Sequence, residues 1–360
     1  MSIMSASLYL NLTLPGPGAH PAAWRHAGFH PADLAWYQGI ARLAERGKFH
    51  SLYLPDSLAA PATLAHGPAG LAAEPLTLLG ALAAGTERIG LIAAIAPELS
   101  QPYNIARRLA TLDHASQGRA GWLPRAVTDE ERLNFDRRPE PDDDLPQEYD
   151  QVLRALWDSW ADDARQVDKP QGTYVDTGRV RAIDHVGRHF RVTGPLDIPR
   201  PPQGHVVLAA QHDGPLAGSA DIVFLNAPDL PSARAVLPAA RRSGARVLAT
   251  FSVIASPSEA QVERRLRARA GYGGAWQPGW PVLAGTPPEI ASQLAPWVEV
   301  LGVDGLNLVP AVVDEDLGDI VDYLLPELRQ RGWLDRDYAA NTLRGHYGLE
   351  RPANLDLAPA

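Results

Sequence analysis

Short runs of consecutive apolar residues alternate along this chain with longer stretches in which apolar positions recur at helical spacing. The runs fall at 7–14, 51–55, 89–96, 119–123, 205–211, 221–226, 246–254 and 305–309. Most are nearly continuous, as in parallel strands covered on both faces, where alternation with polar residues is not required. Helical periodicity predicts helices over 31–48, 74–84, 102–115, 148–164, 232–242, 258–270, 289–300 and 316–331. Proline in the first turn of several of them is an ordinary helix start. Eight strand–helix alternations predict an α/β protein, a (β/α)8 TIM barrel, with a doubly wound open sheet as the alternative. In a barrel, Asp56, Ala94, Leu123 and Gln211 fall at the C-terminal ends of their strands, where such folds place their sites.

Two segments interrupt the alternation. Residues 125–146 are polar and proline-broken and read as a surface loop, and 169–203 form a second insertion with a hairpin before the fifth strand. Residues 1–331 then make one barrel domain. The tail, 332–360, reads as an extension laid on the surface or on a partner.

Composition narrows the class. The chain has 360 residues, 45% hydrophobic and 21% charged, which excludes global disorder. A net charge of -9 without a basic block argues against a nucleic-acid surface. No apolar run is long enough for a membrane span, and the opening MSIMSASLYLNL lacks a basic stretch before its apolar letters. A cytoplasmic location is therefore expected. With no cysteine there is no disulfide, thiol nucleophile or thiolate metal site. The neighbouring His212 and Asp213 lack a third ligand at metal spacing, so no metal is expected. Arg107 and Asp113 read as a structural ion pair on a helix, and Arg119 as a tie from a strand start to a carboxylate.

Several ordered blocks carry a family resemblance: IARLAERGKF followed by LYLPDS, EPLTLLGALAAGTERIGL, PYNIARRLATLDHASQGRAGW, DHVGRHFRVTGPLDIPRPPQG, and LLPELRQRGWLDRDYAANTLRGHYGLERPAN. In these the chain resembles the bacterial-luciferase-like flavin monooxygenases, in the branch of nitrilotriacetate monooxygenase and the pristinamycin-type synthases. The resemblance implies the luciferase-like variant of the TIM barrel. It also implies reduced FMN delivered by a separate flavin reductase, O2 as oxidant, a small organic substrate and a homo-oligomer.

It further implies a site. His20 and His26, in the loop after the first strand, become candidate proton donors, with Trp24, Arg25 and Arg125 as candidate substrate contacts. Packing of that loop by Trp24, and balance of the acidic run 140–144 by Arg125, are the alternatives for these residues. Asp56, Ala94, Gln211 and His212 occupy the flavin-contacting positions. Several of the family's flavin-holding side chains are replaced, however. Ala94, Ala96 and Pro97 stand where hydroxyls are usual, and Asp213 stands in the turn that faces the flavin phosphate. Each lost charge-assisted contact costs on the order of 1.5–3 kcal/mol, so FMN is expected to bind weakly. A relative that does not hold FMN in the usual way, as a non-flavin enzyme or a partner subunit of an active homologue, is the alternative function.

Overall fold

A closed parallel barrel organises the molecule, seen in a computed structural model that describes residues 7–26, 28–60, 73–135, 144–270 and 276–354. One sheet contains β1 (Tyr9–Thr13), β2 (Ser51–Leu54), β3 (Gly90–Ile95), β4 (Ala120–Pro124), β5 (Val207–Gln211), β6 (Ile222–Leu225), β7 (Arg246–Ala255), β8 (Val282–Gly285) and β9 (Gly305–Pro310). Strands β1 to β7 pair in chain order, β7 pairs with β9, and β9 returns to β1, every pairing parallel. That closure excludes the open sheet. The short β8 was not foreseen; it attaches to the far end of β7, from Ser252 to Ala255.

Helices α1 (Leu34–Arg46), α2 (Pro75–Ala83), α3 (Pro102–Ala115), α4 (Leu145–Asp158), α5 (Leu230–Ala240), α6 (Glu259–Ala270) and α7 (Pro287–Ala295) connect the strands, and α8 (Val313–Asp319) runs on through wider turns to Gln330. Local chemistry sets their starts. Asp33 caps α1 by accepting from Ala35 and Trp36, and proline opens α2 and α3. Helix α4 stops six residues before the predicted end. Trp160 bridges to Val180, and the Asp158 carboxylate is held by Arg200 at 2.8 Å and His205 at 2.9 Å. The predicted hairpin is present at His185–Val186 and Arg191–Val192, preceded by a second one at Arg165–Asp168 and Thr173–Val175.

One segment of the tail, residues 343–347, plugs the barrel's N-terminal end, correcting the surface placement for that segment. Leu343 and Tyr347 are fully buried there, beside Ile92, Val207, Ile222 and Leu248. Gly90 and Gly121 make room. A Cβ at Gly90 would lie 2.2 Å from Leu343 Cδ1, and one at Gly121 2.9 Å from Leu343 Cδ2. Above this plug runs a buried polar chain. Ser51 Oγ meets the Tyr347 hydroxyl at 2.7 Å and donates to Asn11 Oδ1 at 2.6 Å. Asn11 Nδ2 donates to Asn307 Oδ1 at 2.8 Å, and Asn307 Nδ2 to Thr250 at 3.1 Å. Every link is paired, which is how a polar group survives in a core.

Two expected ion pairs are absent among the described residues. Arg107 bonds Asp197 at 2.9 Å instead of Asp113. Asp113 accepts from the backbone of Ala120 and from Gln203, joining α3 to the loop before β5. Among the described residues, Arg119 meets no carboxylate. Its guanidinium donates to the carbonyls of Ala83, Thr86, Ile89 and Ser116 and to the Thr86 hydroxyl. The reason is position: α2 ends beside it, and exposed carbonyls at a helix C-terminus draw a cation. No helix among the described residues is long and apolar enough to cross a membrane.

Candidate active site at the barrel mouth

Asp56, Ala94, Leu123 and Gln211 lie at or just beyond the C-terminal ends of β2, β3, β4 and β5, on one rim, as expected. The floor beneath is apolar and buried: Tyr53, Ala94, Leu123, Ala209 and Phe224 form one cluster. Burial pushes the Tyr53 phenol well above its ordinary value, so it remains a neutral hydroxyl.

Arg125 stands at the rim, 3.8 Å from Asp56 and 2.8 Å from Glu131. Glu131 also accepts from the N–H groups of Leu58 and Thr128, through a capping box that starts the short turn Asp129–Arg132. Burial pulls Glu131 upward, yet Arg125 and those N–H groups outweigh it and hold the carboxyl below its ordinary value. Asp56 goes the other way: burial raises it, against the pull of Arg125. The carboxylate partners of Arg125 are thus Glu131 and Asp56; Asp142 and Asp143 of the acidic run lie outside the described residues.

A cleft of about 670 Å3 opens beside this cluster, lined by Pro97, Arg125, Arg132, Gln147 and the turn from Asp213 to Ser219. That volume is in the usual range for a cofactor-sized ligand, roughly 300–1,000 Å3. Gln211 is fixed by Asn226, whose side chain donates to it at 2.6 Å, and His212 Nδ1 accepts from the Asn226 backbone at 3.3 Å. The Asp213 side chain lines the cleft, is mostly exposed to water and lies 3.6 Å from His212.

For a flat heteroaromatic ring, the described residues supply the apolar side chains of Tyr53, Ala94, Leu123 and Phe224, none of which lines the cleft itself. For a phosphate, the described residues supply chiefly the backbone of the 213–219 turn, since the Ser219 hydroxyl already donates to the Leu216 carbonyl at 3.3 Å. Arg132, the second cation of the cleft, is already held by Glu98 at 2.9 Å and Asp129 at 2.8 Å.

The loop after β1 crosses the opposite side of the mouth. Backbone bonds from Ala19 to Pro310 and from His20 to Ala311 dock it on the end of β9. His20 is buried, and its Nδ1 accepts from the Ala22 N–H at 3.1 Å, so the neutral ring carries its proton on Nε2. Burial, then the charges of Arg269 and His26, lowers its pKa and keeps it neutral. His26 lies 3.4 Å from Glu315. Arg25 is exposed and stacks on Trp24 at 4.6 Å.

Sequence reasoning missed Arg269, Trp276 and Trp280. Trp276 packs edge-on against His20 at 5.0 Å, Trp280 donates to Ser252 inside the barrel at 3.0 Å, and Arg269 bonds Glu315 and Asp316. A signal existed: Val262, Arg265 and Arg269 share one face of α6, so the basic run ERRLRARA is not uniformly solvated.

Comparison with known proteins agrees with this architecture. The luciferase-like monooxygenase profile matches residues 15–299, and the chain belongs to that family. It is 29% identical to N-acetyl-S-(2-succino)cysteine monooxygenase of Bacillus subtilis, over 98% of this chain and 99% of that protein. It is 30% identical to nitrilotriacetate monooxygenase component A of Aminobacter aminovorans, over 95% and 96%. The crystal structure of DmoA from Hyphomicrobium sulfonivorans superposes with a TM-score of 0.87 at 25% identity, covering 95% of this chain and 92% of that one.

Proposed function

We propose that this chain is the oxygenase of a two-component system. It takes reduced FMN from a separate reductase and uses O2 to insert one oxygen atom into a small organic substrate, the second oxygen leaving as water. The observation that carries this reading is the end-to-end similarity to two monooxygenases, one of them named as a component of a larger system. Bound reduced FMN would supply the two electrons that activate O2. The ring is assigned to the floor formed by Tyr53, Ala94, Leu123 and Phe224, bordered by Asp56 and Gln211, with His212 beside the phosphate turn. The apolar walls exclude water, which protects a reactive oxidant from wasteful collapse. Neutral His20, with its N–H on Nε2, donates a hydrogen bond at the mouth, and His26, 3.4 Å from Glu315, is the candidate proton donor beside it.

The rim cations are already matched by carboxylates, so oxidised FMN is expected to bind with a Kd above 1 μM. Calorimetric titration checks this; a sub-micromolar value contradicts it. For the function itself, one equivalent of reduced FMN is mixed with aerated buffer, with and without the protein. Reoxidation should follow a different time course in its presence. Identical traces, together with no binding of either flavin form, would remove the flavin reading in favour of a relative that does not use FMN. If oxygenation is observed with a supplied reductase, His20→Ala combined with His26→Ala should abolish product and release hydrogen peroxide. Full product yield from that variant would remove the two histidines from the mechanism.

A further inference from the structure

A second cleft, of about 460 Å3, lies between the β1 loop and α6 and is lined by His20, Ile254, Leu266, Arg269, Trp276 and Val282 among others. Its chemistry is asymmetric. Ile254, Leu266, Val282 and the Trp276 ring offer apolar surface, whereas the polar groups on the other side are donors. Arg269 is only 4% exposed. Its Nη2 reaches Glu315 at 2.8 Å and Asp316 at 3.1 Å, but its Nε and Nη1 are buried with no acceptor. A guanidinium is a donor only, and an unmet buried donor costs about 1–3 kcal/mol. His20 adds an N–H of the same polarity, because its Nδ1 is already used by Ala22.

We propose that this cleft recognises the carboxylate of an organic acid, with the anionic end on Arg269 and His20 and the apolar body against Trp276 and the aliphatic wall. The proposal rests on the monooxygenase reading only in naming that acid as the substrate; binding itself does not require flavin. The apolar wall is what favours an organic acid over an inorganic anion. The surrounding charges make the site selective and not merely attractive. Arg265 and Arg269 face Glu315, Asp316 and Asp319, and His26 faces Glu315, so no large positive field is left over to hold any passing anion. Affinity then depends on meeting the free N–H groups while filling the wall. Both conditions are satisfied by a carboxylate on a hydrocarbon or aromatic frame.

The test uses the whole chain without flavin and follows tryptophan fluorescence during titration with benzoate, benzamide and inorganic phosphate. Benzoate should give a saturable change, with benzamide and phosphate each binding at least ten-fold more weakly. Trp276→Phe should remove most of the signal, and His20→Ala should weaken benzoate several-fold. Arg269→Gln should weaken it at least ten-fold; where that variant does not fold, the comparison of benzoate with benzamide on the unaltered protein decides. Equal binding of benzoate and benzamide would leave an apolar pocket only. Equal binding of benzoate and phosphate would make the site a general anion or flavin-phosphate seat. No saturable binding of benzoate would mean that water alone meets Arg269. Each of those three results overturns the proposal. Since no flavin is present, failure here leaves the reduced-FMN experiment untouched, and failure there leaves this one standing.

Discussion

Two arginines at opposite ends of the barrel are almost equally buried, Arg119 at 3% exposure and Arg269 at 4%. At the N-terminal end, Arg119 gives every guanidinium nitrogen to an acceptor within the protein. At the mouth, Arg269 leaves two of its three nitrogens unmet. The same side chain, equally removed from water, is a structural tie in one place and an open position in the other. What separates them is the neighbourhood. A helix C-terminus with free carbonyls surrounds Arg119, whereas Arg269 faces a cleft whose other walls, His20 apart, are apolar. In the barrel fold stability collects at the N-terminal face and chemistry at the C-terminal one, and here the division is visible in hydrogen-bond accounting.

The sharpest way to break that contrast is to remove each cation in turn. Arg119→Met should strand four carbonyls in the core, while the Thr86 hydroxyl keeps its bond to Leu82, and cost on the order of 4 kcal/mol. Arg269→Met loses two bonds, while Asp316 keeps Arg265 and the Val312 N–H, so about 1–2 kcal/mol is expected. Urea denaturation of both variants measures the difference. Equal losses would mean that Arg269 is as structural as Arg119, and the contrast between the two ends would fail.

A carboxyl pair allows a second comparison. Burial pushes both Asp113, near Arg119, and Asp316, beside Arg269, up to about 6. An acid whose folded value exceeds its unfolded one binds more protons when folded. Its contribution is therefore fully present below about pH 4 and is lost as pH rises to about 6. For a rise from 3.8 to about 6 the loss is at most about 3 kcal/mol per group. Asp316→Asn should flatten the pH dependence of stability across that window, read as urea midpoints from pH 4 to pH 7. Asp113→Asn should lower stability throughout, because Asp113 accepts three N–H groups and an amide cannot accept all of them. A stability profile for Asp316→Asn that still falls through the window would show that Asp316 does not titrate there.

The barrel was legible because its signal is one-dimensional. Continuous apolar runs between turns named eight strands, and the rim positions of Asp56, Ala94, Leu123 and Gln211 followed from strand ends. The side-chain partners were not legible in the same way. Arg119 looked like half of an ion pair because carboxylates are the expected partners of arginine; only the fold brings the end of α2 to it. Arg125 has Glu131 just six residues away, but the bond depends on a capping box that places Glu131 under the Leu58 N–H. The tail read as surface because nothing in LRGHYG announces that Gly90 and Gly121 have left a space for Leu343.

The smallest effect examines how finely the plugged end is satisfied. Ser51 has one proton and gives it to Asn11 Oδ1, so at the 2.7 Å contact with Tyr347 the phenol must be the donor. Tyr347→Phe then removes a donor and leaves Ser51 short of one optional acceptor bond. It should cost about 1 kcal/mol. Ser51→Ala is the reverse case, stranding both the phenol hydroxyl and Asn11 Oδ1, and should cost distinctly more, about 2–3 kcal/mol. The double variant should come out less destabilised than the sum of the two, since the phenol that Ser51→Ala strands is then gone. Urea midpoints of the three variants form the cycle. Strict additivity would mean that the chain through Tyr347, Ser51 and Asn11 does not act as a connected unit, and that the N-terminal end is held by the packing of Leu343 and its neighbours alone.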